Sequence, residues 1–102
     1  MRFAVKITPY ALEQISQTLS YISGKLNSPQ AASNLLGKIR DELETIGEYP
    51  LSKPKVSGDE LRGKYRKFII GNYVGVYRVD DVEKTAYVVA FRYAPSSLGD
   101  RL

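Results

Sequence analysis

Residues 64–79 read KYRKFIIGNYVGVYRV, the strongest structural signal in the chain. Two apolar-rich runs, 64–70 and 73–79, flank the dipeptide Gly71-Asn72. A two-residue Gly-Asn connection between such runs is typical of a β-hairpin, because glycine readily adopts the backbone angles of a tight turn. We therefore predict two antiparallel strands joined by this turn.

A third strand is predicted directly after the hairpin. Residues 84–93 contain the apolar run from Tyr87 to Phe91, and Asp80-Asp81 ahead of them is typical of a turn. The three strands should therefore form a meander. Because both sides of these strands carry apolar residues, the alternation does not identify the buried face.

The N-terminal half predicts one strand and two helices. Residues 2–7 alternate as a half-buried strand does, and Thr8-Pro9 and Ser28-Pro29 each supply an N-cap followed by a proline suited to the first helical position. The apolar stripe of the first helix comprises Leu12, Ile15, Leu19, Ile22 and Leu26, and that of the second comprises Ala32, Leu35, Leu36, Ile39, Leu43 and Ile46. The short break between the helices predicts an antiparallel helical hairpin.

The predicted order β-α-α-β-β-β defines an α+β fold with two layers. Each helical stripe needs an apolar partner, so the helical hairpin should pack on one face of an antiparallel sheet. The N-terminal strand most simply joins that sheet. Residues 49–60 contain two prolines and the turn sequence Ser57-Gly58-Asp59, which predicts a surface loop ahead of the meander.

The length of 102 residues and the hydrophobic content of 43% are typical of a single domain, here residues 1–102. The tail, residues 94–102, should be loosely ordered. The apolar N-terminal run is too short for a signal peptide, and no run approaches the ~20 residues of a membrane span. We expect a cytoplasmic protein that does not bind membranes.

The chain contains no cysteine and no histidine, which restricts its chemistry. Disulfides and imidazole or thiolate catalysis are excluded, and a structural zinc site is not expected. We predict no metal and no cofactor. Any catalysis would have to use Tyr, Lys, Arg, Asp or Glu.

The net charge of +4 arises in the strand-rich part of the chain. Residues 62–102 contain eight basic and four acidic residues, whereas residues 1–61 contain seven of each. Basic side chains among tyrosines can hold phosphates, bases or an acidic peptide, although solubility alone is a simpler explanation. The candidate residues for binding a target or nucleic acid are Arg62, Lys64, Arg66, Lys67, Tyr73, Arg78 and Arg92.

The chain resembles the RelE/ParE toxins of bacterial type II toxin–antitoxin systems. The order of strand, helical hairpin and three-stranded meander is similar to theirs. The segments that carry the resemblance are 61–63, 65–67, 73–80 and 88–92, which read LRG, YRK, YVGVYRVD and VVAFR. The resemblance covers nearly the whole chain and implies a RelE/ParE-like fold and a toxin that inhibits growth.

The resemblance implies one of two targets. RelE-like members resemble ribosome-dependent mRNA endonucleases, whereas ParE-like members act on DNA gyrase. In both groups an antitoxin wraps the toxin with a segment that folds on binding. The implied partners are therefore a cognate antitoxin, in a toxin–antitoxin hetero-oligomer, and either DNA gyrase or the ribosome with its mRNA.

The RelE catalytic pattern is only partly present. Arg66 and Arg92 match basic positions of that pattern, whereas Phe68 and Val74 stand where it has a lysine and an arginine. Its C-terminal tyrosine has no direct match, since Leu98 falls near that position. A ribonuclease of this type would use Arg66, Lys67, Arg92 and Tyr93.

We favour the ParE-like alternative, in which the toxin binds gyrase without catalytic residues of its own. The incomplete ribonuclease set favours it, and so does the long helical hairpin with residues 28–32, which is similar to ParE-type chains. An mRNA endonuclease is the second hypothesis. A decayed toxin that only binds its antitoxin is the third.

Overall fold

The computed structural model describes residues 2–56 and 64–95. Its first helix, α1, spans Pro9–Ser20 and continues into a π-helical turn at Tyr21–Lys25; the second helix, α2, spans Pro29–Glu48. Both predicted N-caps are present. The Thr8 hydroxyl accepts a hydrogen bond from the Ala11 N–H at 3.3 Å, and Ser28 caps α2 in the same way.

Four strands accompany the helices in the part of the chain just defined, and the predicted order of elements is confirmed. The strands are β1 (Ala4–Ile7), β2 (Tyr65–Ile70), β3 (Tyr73–Asp80) and β4 (Thr85–Tyr93). The β2–β3 connection has a positive φ of 57° at Gly71, the first of its two central residues. Glycine in that place is what a tight hairpin turn favours. Candidate residue Arg62 and the tail beyond residue 95 lie outside the described residues.

The four strands form one sheet in the order β1-β4-β3-β2. β1 pairs with β4 in parallel, so the sheet is mixed, and the prediction of an antiparallel sheet is corrected for this pair. The cause is α2, which returns the chain to the end of the sheet where β1 begins, since the Phe3 N–H donates to the Gly47 carbonyl at 2.8 Å. β2 starts from that end, and two reversals then leave β4 running alongside β1.

The sheet has an inner face that packs on the helices and an outer face turned away from them. The inner face supplies most of the large, fully buried side chains, and Ile46 of α2 packs among them. The fully buried inner-face residues are Phe68, Tyr77, Ala86, Val88 and Phe91. The core therefore lies between the helical hairpin and the last three strands.

A bulge in β4 determines which of its side chains reach this core. Val76 pairs with Ala90 but Tyr77 pairs with Val88, so Val89 is an extra residue. A bulge shifts the alternation of side chains by one position. Val88 and Phe91 therefore share the inner face, although strict alternation would place them on opposite faces.

Candidate functional site

The tip of the β2–β3 hairpin carries a cluster of aromatic rings. Tyr73 stacks on Phe91 with ring centroids 5.5 Å apart and meets Tyr93 at 5.3 Å. Burial raises the pKa of Tyr73, and the neighbouring Tyr93 and Tyr21 add to the rise. Tyr73 therefore stays neutral at physiological pH. It offers a hydroxyl and a ring for contact but no charge.

A groove of about 980 Å³ runs beside this cluster, between the hairpin tip and the end of the helical hairpin where α1 meets α2. Its apolar lining includes Ile22 and Leu35 from the helices and Ile70 from β2. Among the described residues that line it, none is acidic, whereas Lys38 and Arg92 are basic. The groove thus suits an apolar segment that carries negative charge.

The π-helical turn shapes the mouth of this groove. A π-helical turn adds one residue to a helix, which rotates the residues after it relative to the apolar stripe before it. Ile15 and Ile22 are buried as the stripe predicts, but Leu26 is 55% exposed and lines the groove. The prediction that Leu26 belongs to the buried stripe was wrong, and Leu12 is likewise exposed at 51%.

Arg66 holds the loop that follows α2. Its position opposite Tyr77 places it on the inner face, where its Nη1 donates to the Lys53 carbonyl at 2.8 Å. The Tyr77 hydroxyl donates to the Pro50 carbonyl at 2.7 Å, and Lys53 forms an ion pair with Glu42 of α2. These contacts fasten residues 50–54 to the sheet and to α2.

Lys67 points to the outer face, as Val76 opposite it does, and is only 5% exposed. Its Nζ is buried and has no hydrogen-bond partner within residues 2–56 and 64–95. Leaving a buried ammonium without a partner costs free energy, so an incoming anion would stabilise it. Lys67 is thus a candidate for binding a negative group that reaches this face.

The remaining candidates are spread over the sheet. Arg78 is partly buried and lies over the Tyr87 ring at 4.4 Å, and Lys64 lies over the Tyr65 ring at 5.4 Å. Arg92 is exposed opposite Val74 on the outer face, and its neighbour Tyr93 is 61% exposed.

The four residues of a RelE-type ribonuclease set do not meet at one place. Arg66 is on the inner face, whereas Lys67 and Arg92 are on the outer face. Arg92 lies two strands away from Arg66 and three residue pairs further along, a shift of roughly 10 Å along the strands. Lys67 and Arg92 share a face, but the Arg66 guanidinium donates a hydrogen bond to the Lys53 carbonyl.

Sequence reasoning identified Tyr73 and Arg92 but missed the helical side of the groove. Leu26 follows the spacing of the apolar stripe, so nothing in its position distinguishes it from a core residue. Tyr21, which is 54% exposed, lies outside that stripe. Gly24 between them was the available signal, since glycine weakens a helix and accompanies irregular turns.

Within residues 2–56 and 64–95, no three acidic side chains lie together in a way that could hold a metal ion. Neither helix in this part of the chain has the length and apolar character that crossing a membrane requires.

Comparison with known families gives one match that spans most of the chain. Residues 5–94 match the family model of the ParE toxin of the type II toxin–antitoxin system, parDE. No curated protein sequence matches the chain.

Several solved structures share the fold. A chain of the chromosomal ParDE toxin–antitoxin system from P. aeruginosa has a TM-score of 0.70 and 13% identity, covering 91% of this chain and 97% of that chain. A free mutant of the E. coli toxin RelE has a TM-score of 0.65 and 18% identity, covering 96% and 90%. A chain of the M. tuberculosis RelBE2 toxin–antitoxin complex has a TM-score of 0.62 and 16% identity, covering 91% and 92%. At these identities the likeness shows the fold alone.

Proposed function

This chain belongs to the ParE toxin family of type II toxin–antitoxin systems, and on that basis we propose that it arrests growth by binding DNA gyrase. The observation that carries the proposal is the separation of the candidate catalytic residues. Arg66 bonds to the Lys53 carbonyl on the inner face, while Lys67 and Arg92 lie on the outer face. Proton transfer needs groups within hydrogen-bonding reach of one reacting atom, so this arrangement supports binding over cleavage.

The proposed neutralising partner is a cognate antitoxin that occupies the groove beside the hairpin tip. The exposed Tyr21 and Leu26 and the stacked Tyr73 offer apolar contacts, and Lys38 and Arg92 offer positive charge at the margin. An antitoxin segment with apolar anchors and acidic flanks complements both features. Such a complex would form in the cytoplasm, where we propose the toxin acts.

Inducing the toxin in cells with two reporters tests the choice of target. One reporter responds to DNA damage and the other to stalled translation. A gyrase-directed toxin should activate the DNA-damage reporter and leave mRNA intact. Codon-positioned mRNA cuts without DNA damage would contradict the proposal, and the absence of any growth effect would indicate a decayed toxin.

The alternative, a ribosome-dependent mRNA endonuclease, is favoured by a single observation. Arg92 and Tyr93 are both exposed at the end of β4, so an RNA strand that crosses this end of the sheet could contact Arg92 on the outer face and Tyr93 on the inner face. In that case Arg92→Ala should abolish mRNA cleavage and leave the thermal unfolding curve unchanged. Cleavage retained by Arg92→Ala would exclude this assignment.

A further inference from the structure

Four side chains of the outer face stand in one row that crosses every strand of the sheet. In register, Lys6 of β1 pairs with Tyr87 of β4, Tyr87 pairs with Arg78 of β3, and Arg78 pairs with Tyr65 of β2. Cations and tyrosines therefore alternate across the sheet, and we call these four residues the cation–tyrosine row. Lys6 and Arg78 are two strands apart, roughly 10 Å.

The rings of the row hold cations in place. Arg78 lies over the Tyr87 ring at 4.4 Å, which is close for a cation–π contact, and Lys64 lies over Tyr65 at 5.4 Å. A ring with a guanidinium on its face has lost one surface for stacking a base. The row is thus better suited to present ordered positive charge to carboxylates than to stack nucleobases.

No acidic side chain in the described part of the chain forms an ion pair with a cation of the row. Among residues 2–56 and 64–95, the ion pairs join Arg2 to Glu44 and Lys53 to Glu42, and neither involves Lys6 or Arg78. Asp80 is the acidic residue next to Arg78 on this face. Its Oδ1 accepts from the N–H groups of Val82 and Glu83 at 3.0 Å each.

We propose that the cation–tyrosine row docks an acidic segment of the protein that this toxin inhibits. The inference rests on the proposed function, in which the target is a protein that is bound. Positive charge that forms no ion pair among the described residues complements such a segment. Transient protein–protein interfaces are more polar than permanent ones. The charged row therefore suits contact with the target, and the apolar groove suits the antitoxin.

In this proposal the two sides of the sheet bind different partners. The groove opens on the helical side, and the row lies on the outer face. Carboxylates of the target about 10 Å apart would meet Lys6 and Arg78 together. Electrostatic steering by this row should make inhibition of the target sensitive to salt.

A pair of double variants tests this proposal. Lys6→Gln with Arg78→Gln removes two charges from the row. Arg40→Gln with Lys55→Gln removes two charges elsewhere, since Arg40 is exposed on α2 and Lys55 lies opposite Arg66 of the inner face. For each protein we would measure growth arrest on induction, affinity for the antitoxin, inhibition of gyrase supercoiling, and binding to poly-glutamate and to a single-stranded oligonucleotide.

The same growth arrest should require on the order of tenfold more of the row variant than of the unmodified protein, given the usual cost of losing two interfacial charges. The row variant should also lose poly-glutamate binding and keep its affinity for the antitoxin, while the control variant behaves as the unmodified protein. Undiminished growth arrest by the row variant would overturn the proposal, as would an equal loss in the control variant. Equal weakening of antitoxin binding would assign the row to the antitoxin, and oligonucleotide binding that depends on the row would assign it to nucleic acid.

The growth readout separates this proposal from the gyrase proposal. Growth arrest by a toxin that leaves supercoiling untouched would refute gyrase as the target. The comparison of row and control variants would still decide whether the row contacts the protein that the toxin inhibits.

Discussion

At the level of single residues, the contact between Gly75 and Phe68 leaves no space for a side chain at position 75. The two residues pair across β3 and β2, and a Cβ on Gly75 would come within 2.1 Å of the Phe68 ring. Phe68 is only 2% exposed, so its ring has no room to move aside. The glycine of the YVGVYRVD segment is therefore required by packing.

We expect Gly75→Ala to lower the free energy of unfolding by about 1–3 kcal/mol, the usual cost of overpacking. Urea denaturation measures the change. Gly37→Ala is the matched control, since a Cβ there meets nothing within 4 Å and alanine stabilises a helix interior by up to about 1 kcal/mol. Equal stability of Gly75→Ala and the unmodified protein would contradict this account of the packing.

Ionisation of Tyr77 should make the free energy of unfolding depend on pH in the alkaline range. Burial raises the pKa of Tyr77 to about 12, against 10.0 for a free tyrosine, although nearby Arg66 acts in the opposite direction. Because the folded-state pKa is the higher one, this contribution to stability is complete below pH 10. It is then lost as the pH rises from about 10 to about 12, where the unfolded chain ionises first.

Replacing this hydroxyl should therefore change the slope of stability against pH. Between pH 10 and 12 the unmodified protein should lose about 1.4 kcal/mol per pH unit more than Tyr77→Phe does. Below pH 10 the variant should be the less stable protein by about 1 kcal/mol, because the bond to the Pro50 carbonyl is gone. Urea midpoints at pH 9 and pH 11 measure both effects. Parallel pH profiles for the two proteins would refute the assigned cause.

At the level of elements, the regular parts of this fold were predictable and the irregular ones were not. The caps at Thr8 and Ser28 and the turn at Gly71 follow from local chemistry, which the sequence displays directly. The π-helical turn and the extra residue Val89 each shift a periodic pattern by one position. Both irregularities depend on tertiary packing, so the spacing of apolar residues does not predict them.

The same limit applies to the candidate site. Arg78, Arg92 and Tyr73 were identifiable because their residue types stand out on apolar strands. The inner-face position of Arg66 and the burial of Lys67 depend on which face of the sheet meets the helices. That choice could not be read from strands with apolar residues on both sides.

Leu26 follows the π-helical turn and lines the groove that we propose binds the antitoxin. Leu26→Asp should weaken antitoxin binding on the order of tenfold or more, because a carboxylate replaces an apolar anchor at the groove mouth. Leu12→Asp is the matched control, since its side chain is exposed to nearly the same degree and lies outside the groove. Titration of each variant with the antitoxin measures the affinities. Equal effects of the two substitutions would exclude the groove as the antitoxin site.

At the level of the whole molecule, the chain carries two surfaces of different chemistry on one small scaffold. The groove on the helical side is apolar with basic margins, and the outer face of the sheet presents cations held by tyrosine rings. No set of residues in the described part of the chain assembles the catalytic pattern of a RelE-type ribonuclease. Both observations support our proposal that this toxin inhibits its target by binding.

Supercoiling by purified gyrase is the measurement that decides this account. Adding the toxin should inhibit supercoiling, and adding the cognate antitoxin should restore it. Arg92→Ala should weaken inhibition only modestly, because a toxin that acts by binding does not depend on one catalytic residue. Unaffected supercoiling together with cleavage of ribosome-bound mRNA that Arg92→Ala abolishes would contradict the account.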